Sequence, residues 1–267
     1  MTGINDTWFD NSIAALGDPQ NQRVWSVIVS LFGDMAQATG DRIGGSTLTR
    51  IIGPIGIKPE AIRVALHRLR KDGWIESARI GRTSVHFLTD FGREQSAAVT
   101  PRIYCRTPEI PTDWHVLIDE EGAGHSTLDE MLLAHSYISI GRHSALGAGP
   151  IPANCEDLLS LRVSAINAPD WLKTRIFPRD LVQSCQSLTR DLEHLSDVPK
   201  HLSPFQIATL RTLVVHRWRR VVLRYPDLPD GFHPQDWPGI ACRTRVFDLL
   251  DHLPRPNLAA LTDDPEP

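Results

Sequence analysis

One segment constrains the fold most: PEAIRVALHRLRKDGWIESARIGRTSVHFLT, from Pro59 to Thr89. In it, apolar residues first recur at the spacing of a helix and then directly at the spacing of a strand. Apolar residues recur every three or four positions up to Asp72 and then alternate on both sides of Gly81. Proline suits the first position of a helix, and Gly73 suits the position after its end. We therefore predict a helix from Pro59 to Asp72, followed by two strands joined at a tight turn.

The predicted helix has two chemically different faces. One stripe carries the apolar residues Ile62, Ala65, Leu66 and Leu69, which suits packing against a core. The cationic residues lie off that stripe, and the hairpin adds two more beside its turn. The candidates for contact with a polyanion are Arg63, His67, Arg68, Arg70, Lys71, Arg79 and Arg82. The ordinary alternative is a solvated basic surface with no partner.

Two further helices are expected before this one. The run that begins at Arg23 has helical spacing and stops at Gly40, and the next begins at Ser46 as a possible N-cap and ends before Gly53. Three helices followed by a hairpin with a basic tip are typical of a winged helix-turn-helix. In that unit the third helix can enter the major groove of DNA.

Charge is distributed unevenly along the chain. The net charge is −4, but residues 23–93 hold eleven Lys and Arg against six acids, while the flanking residues are acidic in sum. A basic segment between acidic ones favours a polyanion-binding module attached to a regulatory body.

Cysteine spacing and hydropathy indicate the cellular compartment of the protein. The four cysteines lie at least 30 residues apart, form no CxxC pair and suggest reduced thiols. The first 22 residues contain no Lys or Arg, and no apolar run reaches the roughly 18 residues of a membrane span. We expect a cytoplasmic protein without a membrane partner.

The remaining chain predicts a small sheet and then helices. DWHVLIDE, YISIGRHSALGAGP and LLSLRVSAIN have strand character, and STLDEMLLAHSY has helical character, which is a β-α-β-β order consistent with a ferredoxin-like sheet. Helices follow from Pro169, and one of them begins at Ser203 with Arg211, Arg219 and Arg220 expected on its outer face. The predicted fold class is α+β.

Two stretches resemble the PaaX family, bacterial repressors of phenylacetate catabolism. They are SLFGDMAQATGDRIGGSTLTRIIGPIGIKPEAIRVALHRLRKDGWIESARIGRTSVHFLTDFGRE and HRWRRVVLRYPDLPDGFHPQDWPGIACRTRVFDLL. Arg63, Arg68, Arg79 and Arg82 match the family's basic helix and wing. The resemblance implies a dimeric repressor that phenylacetyl-coenzyme A releases from its double-stranded operator DNA. The implied domains are a winged helix-turn-helix at 1–97 (with an N-terminal arm at 1–22), a central ferredoxin-like domain at 98–168, a C-terminal helical domain at 169–255 and a flexible tail at 256–267.

An acyl-coenzyme A effector needs arginines for its phosphates and an apolar slot for its acyl chain. The candidate effector-binding residues are Arg217, Trp218, Arg219, Arg220, Asp236 and Trp237. The alternative is an ordinary helical bundle with a solvated basic face.

Two other function classes stay open. A metal-dependent nuclease-like enzyme would need clustered ligands, but Asp119, Glu120 and Glu121 are adjacent in sequence, and no helix carries a His-x-x-x-His pair. His115, His125, His135 and His143 could meet only through the tertiary fold. We predict no catalytic residue, metal or cofactor. A winged helix that docks on protein is the second alternative, and weak, salt-indifferent binding to random DNA would identify it.

Overall fold

The computed structural model describes residues 2–18, 22–120, 127–133, 137–153, 155–193, 195 and 197–261. The chain divides into two compact units. The first comprises Met1–Arg106, Ser184–Leu223 and Pro238–Pro267, and the second comprises Thr107–Gln183 and Arg224–Trp237. Helices and two antiparallel sheets are both present, so the predicted α+β class is confirmed. The domain limits at 97, 168 and 255 stay predictions, and the compact units do not coincide with them.

The elements have the following bounds. The helices are α1 (Thr2–Leu16), α2 (Val24–Met35), α3 (Gly45–Ile52), α4 (Pro59–Lys71), α5 (Asp90–Ile103), α6 (Thr127–Leu133), α7 (Asp170–Ile176), α8 (Arg179–Glu193), α9 (Pro204–Val222) and α10 (Gly239–His252). The strands are β1 (Ile43–Gly44), β2 (Ile75–Ile80), β3 (Thr83–Leu88), β4 (Trp114–Ile118), β5 (Tyr137–Gly141), β6 (Ser144–Ala148) and β7 (Leu159–Val163). None of the described helices is both long and apolar enough to cross a bilayer.

The helix and hairpin predicted from Pro59 onward are confirmed. Helix α4 begins at Pro59 and is followed by Gly73 at φ 73°, a conformation that glycine adopts without strain. Strands β2 and β3 pair antiparallel, and the two residues Gly81 and Arg82 join them, with Gly81 at φ 58°. Strand β1 pairs with the other side of β3 to complete a three-stranded sheet.

One predicted detail near the N-terminus is wrong. Helix α3 is capped by the extended backbone of Gly44, without a side-chain hydrogen bond, so Ser46 lies inside the helix rather than at its cap. Within the predicted N-terminal arm, Thr2–Leu16 form helix α1, and the arm itself stays a prediction.

The core of the first unit lies between α2, α3, α4 and the sheet. Its members are buried aliphatic and aromatic side chains, among them Ile28, Phe32, Leu48, Ile51 and Leu69. The apolar stripe predicted for α4 is confirmed, because Ile62, Ala65, Leu66 and Leu69 are all buried. The opposite side of α4 is consequently left to solvent.

Helix α9 runs through the same unit and is buried on nearly every side. It begins after the predicted Ser203 cap, and Ser203 forms a capping box with Gln206, whose backbone amide donates to the Ser203 hydroxyl. The prediction that Arg211 lies on the outer face is wrong. The Arg211 guanidinium is buried and donates to the Asp34 carboxylate through Nε at 2.8 Å and Nη2 at 2.7 Å.

Asp34 is the centre of a buried polar network. It also accepts from the Tyr104 hydroxyl at 2.6 Å and from Arg255 Nε at 3.0 Å, while Arg211 Nη1 donates to the Leu253 carbonyl. Burial alone would raise the pKa of Asp34, but the hydrogen bonds and positive charge of Arg211, with Tyr104 and Arg255, lower it below its usual value. Asp34 is therefore charged, and it links α2 to α9 through Arg211 and to the segment after α10 through Arg255.

The second unit contains the four-stranded antiparallel sheet, in the order β5-β6-β4-β7. The predicted β-α-β-β order is present as β4, α6, β5 and β6. A small core that includes Leu117, Leu128 and Ala145 packs α6 on one face of the sheet.

Candidate nucleic-acid interface

A groove of about 850 Å³ opens between α3, α4 and the β2–β3 hairpin. Its lining is partly apolar, with Ile62 and Leu66 of α4, and otherwise consists largely of hydroxyl and cationic side chains. The lining residues are Gly45, Ser46, Thr49, Arg50, Pro59, Ile62, Arg63, Leu66, His67, Arg70, Ser77, Ser84 and His86. No Asp or Glu belongs to this described lining. The groove therefore combines positive charge with hydroxyl donors, which is the chemistry that a phosphate group requires.

Three of the predicted contact residues meet in the groove. Arg63, His67 and Arg70 follow one side of α4 and are exposed. Arg63 Nη2 lies 3.2 Å from Glu60 Oε1, but both side chains are at least 70% exposed, so this pair is weak and can be exchanged for another partner.

The other predicted contact residues lie outside the groove. Lys71 is exposed at the end of α4, and Arg79 and Arg82 are exposed on the hairpin. Arg68 lies over the Trp25 ring at 5.4 Å from its centroid, and its Nε is 3.4 Å from Asp72 Oδ2. These contacts fix the direction of Arg68 on the outer side of α4.

His86 of β3 also lines the groove. Its side chain is buried, and its Nδ1 shares a hydrogen bond of 2.7 Å with Ser77 Oγ. Burial, and then the charge of nearby Arg70, lower the pKa of His86. The imidazole is therefore neutral at physiological pH and contributes shape and hydrogen bonding rather than charge.

Sequence reasoning missed Arg50. Its guanidinium lies 3.7 Å from the centroid of the Phe205 ring, and Arg50 lines the groove from α3. This contact holds the cation in one place at little entropic cost on binding. A signal existed, since Arg50 lies off the apolar stripe formed by Leu48, Ile51 and Ile52.

Two of the predicted effector-binding residues are core residues. Arg217 is buried, pairs with Asp191 at 2.7 Å and donates to the Leu16 carbonyl. Trp218 is fully buried, and its indole N–H donates to the Ile103 carbonyl at 2.8 Å. Neither side chain is accessible to a ligand in this structure.

The other predicted effector-binding residues are more accessible. Arg219 is half-buried, and burial lowers its pKa, while Arg220 Nη1 pairs with Asp18 Oδ2 at 3.0 Å. In the second unit Asp236 is exposed, and the Trp237 ring packs 4.5 Å from Phe177.

No three His, Cys, Asp or Glu side chains gather to hold a metal ion in the part of the chain that the structure describes. His125 and His135 lie outside the described residues. His115 is buried, with Nδ1 hydrogen-bonded to the Gly149 carbonyl and Nε2 to the Tyr137 hydroxyl, both at 2.9 Å.

Two separate segments of this chain match family models, and one relative aligns with most of its length. A family model described as PaaX-like protein matches residues 23–92, and one described as PaaX-like protein C-terminal domain matches residues 179–259. The transcriptional repressor PaaX of Escherichia coli K12 is 27% identical, covering 90% of this chain and 84% of the relative. Among solved structures, the uncharacterized protein Rv0674 from Mycobacterium tuberculosis aligns with 89% of this chain and 98% of its own, at 19% identity and a TM-score of 0.48.

Proposed function

Because the chain belongs to the PaaX-like family, we propose that it is a transcriptional repressor that binds double-stranded operator DNA through this groove and the adjoining hairpin. The observation that carries the proposal is the composition of the groove. Arg50, Arg63, Arg70 and hydroxyl side chains line it together, and no Asp or Glu belongs to its described lining. Such a surface attracts a phosphate backbone and releases its counterions, which supplies most of the affinity of DNA-binding proteins.

In this proposal α2, α3, α4 and the small sheet act as a winged helix-turn-helix. Helix α4 enters the major groove, where Arg63 and His67 reach base edges. The remaining cations contact phosphates, and the hairpin supplies two of them. These phosphate contacts are Arg50, Arg68, Arg70, Lys71, Arg79 and Arg82.

We further propose the regulatory properties that the family resemblance implies. The chain acts as a cytoplasmic homodimer on genes of phenylacetate or related aromatic catabolism, and an acyl-coenzyme A such as phenylacetyl-coenzyme A shifts it to a weakly binding state. The second unit serves as a ferredoxin-like domain, which the strand order β5-β6-β4-β7 supports. Since Arg217 and Trp218 are held in the core, we leave them out of the effector contacts.

The test is a fluorescence anisotropy titration of the purified chain on the DNA upstream of its own gene, with and without a panel of acyl-coenzyme A esters. Release by one ester supports both the repressor and the effector. Binding that no ester changes removes the effector proposal alone. Cleavage of the DNA with Mg²⁺ or Mn²⁺ would instead favour a nuclease, and absence of binding would favour a protein-docking module.

The hairpin contact makes a separate prediction. Arg82→Ala should weaken binding to cognate and random duplexes alike, because a phosphate contact carries no sequence information. The slope of log affinity against log salt concentration should become shallower by about 0.9, the value for one phosphate on duplex DNA. Arg245→Ala, which removes an exposed arginine of α10, is the matched control and should leave the slope unchanged. An unchanged slope in Arg82→Ala would remove Arg82 from the interface.

A further inference from the structure

Val64 lies exposed in the middle of the cationic helix. Its side chain is 70% exposed on the outward side of α4, where Arg68 and Lys71 follow it at four and seven positions along the same side. Valine is a poorer helix former than alanine, and at this exposure it gains little from burial within the chain. The residue therefore contributes little to the stability of α4.

A second exposed aliphatic side chain lies on the other basic element. Ile80 is 56% exposed at the end of β2, close to Arg79 and Arg82. Val64 and Ile80 thus both lie on elements that carry exposed cations, while the apolar stripe of α4 is fully used in the core. A partner complementary to this surface carries negative charges and has small apolar groups between them.

Duplex DNA has this chemistry, because thymine presents its C5 methyl group, the apolar feature of the bases, on the major-groove edge. We propose that Val64 packs against a thymine methyl group of the operator and so determines specificity at that base pair. The inference rests on the proposed function and goes beyond it by naming a residue and the base that it reads. Arg68 and Lys71 lie on the same side of α4 as Val64, and their phosphate contacts hold the helix at the depth where the methyl group is reached.

The experiment begins with a footprint of the chain on the DNA upstream of its gene. Each thymine in the protected region is then replaced, one at a time, by deoxyuridine, which removes only the methyl group. Dissociation constants are measured by anisotropy for the wild type, Val64→Ala and the control Ile240→Ala, whose side chain is 66% exposed on α10. Alanine favours the helix, so α4 remains folded, and the melting temperature verifies this.

The wild type should lose affinity about fourfold at one or two thymines, the effect of burying one methyl-sized group. Val64→Ala should bind the thymine duplex about fourfold more weakly and show no further loss with deoxyuridine, while Ile240→Ala should behave as the wild type. The inference is overturned if no thymine matters, or if Val64→Ala keeps the full deoxyuridine effect at every position. If the wild type shows no sequence-specific binding to any DNA in this region, the proposed function itself is overturned.

Discussion

Asp34→Ala is expected to lower the free energy of unfolding by about 3–5 kcal/mol, the cost of leaving one partner of a buried ion pair without the other. The Asp34 side chain has no exposed surface and the Arg211 side chain is 6% exposed, with Nη2 and Oδ1 2.7 Å apart. Without the carboxylate, the guanidinium stays buried and unpaired, and the Tyr104 hydroxyl loses its acceptor. Urea unfolding followed by circular dichroism measures the loss.

Asp18→Ala is the matched control for that prediction. Asp18 pairs with Arg220 at 3.0 Å, but the two side chains are 26% and 33% exposed, so its removal should cost about 1 kcal/mol or less. Equal losses in the two variants would show that the buried network has no special role.

The Asp34 network also predicts a pH dependence. The folded pKa of Asp34 lies below the ordinary value of 3.8, so its contribution to stability is fully present above that value and is lost as pH falls through the folded pKa. The stability gap between the wild type and Asp34→Ala should therefore narrow at pH values below 3.8. A difference in stability between the two proteins that stays constant below pH 3.8 would contradict the lowered pKa of Asp34.

Removing two cations of the groove, one from α3 and one from α4, should have the largest effect on DNA binding. In the double variant Arg50→Ala/Arg70→Ala, affinity for any duplex should fall about 30-fold at 150 mM salt, which is about fivefold for each lost phosphate contact. The salt slope should become shallower by about 1.8, twice the value for a single contact. Anisotropy titrations on the upstream duplex and on a scrambled duplex measure both quantities.

The double variant Arg190→Ala/Arg245→Ala removes the same charge from exposed positions of α8 and α10. It should bind both duplexes as the wild type does, because a change of net charge alone does not remove a contact. If the two double variants weaken binding equally, the effect is one of net charge, and the groove is not the interface.

The sequence predicted α4 and the hairpin well because their signals are local. Pro59, the apolar stripe and Gly73 set the helix, and the two-residue turn at Gly81 sets the register of β2 and β3. No distant residue is needed for either element to form. The exposed cations of α4 could be assigned for the same reason, since they lie opposite a single apolar stripe.

The arginines of α9 were misassigned because their environment is set by distant residues. A helical wheel places Arg211 opposite the apolar side, where solvent is the ordinary neighbour. In the folded chain Asp34 and Asp191 supply partners from other helices, so Arg211 and Arg217 are buried as ion pairs. A periodicity argument contains no information about such partners.

Arg50 was missed for a related reason. It is a single cation in a short helix, and its position in the groove depends on Phe205, which is 155 residues further along the chain. Its role follows only when α3 and α4 are seen to line one groove.

The central claim is that this face of the chain binds duplex DNA with sequence preference. The measurement that tests it most directly is a titration of the purified chain on the upstream duplex and on a scrambled duplex of equal length, over a series of salt concentrations. The account predicts that affinity for both duplexes falls steeply with salt and that the upstream duplex binds more tightly at every concentration. Weak binding that is equal for the two duplexes and indifferent to salt would contradict it.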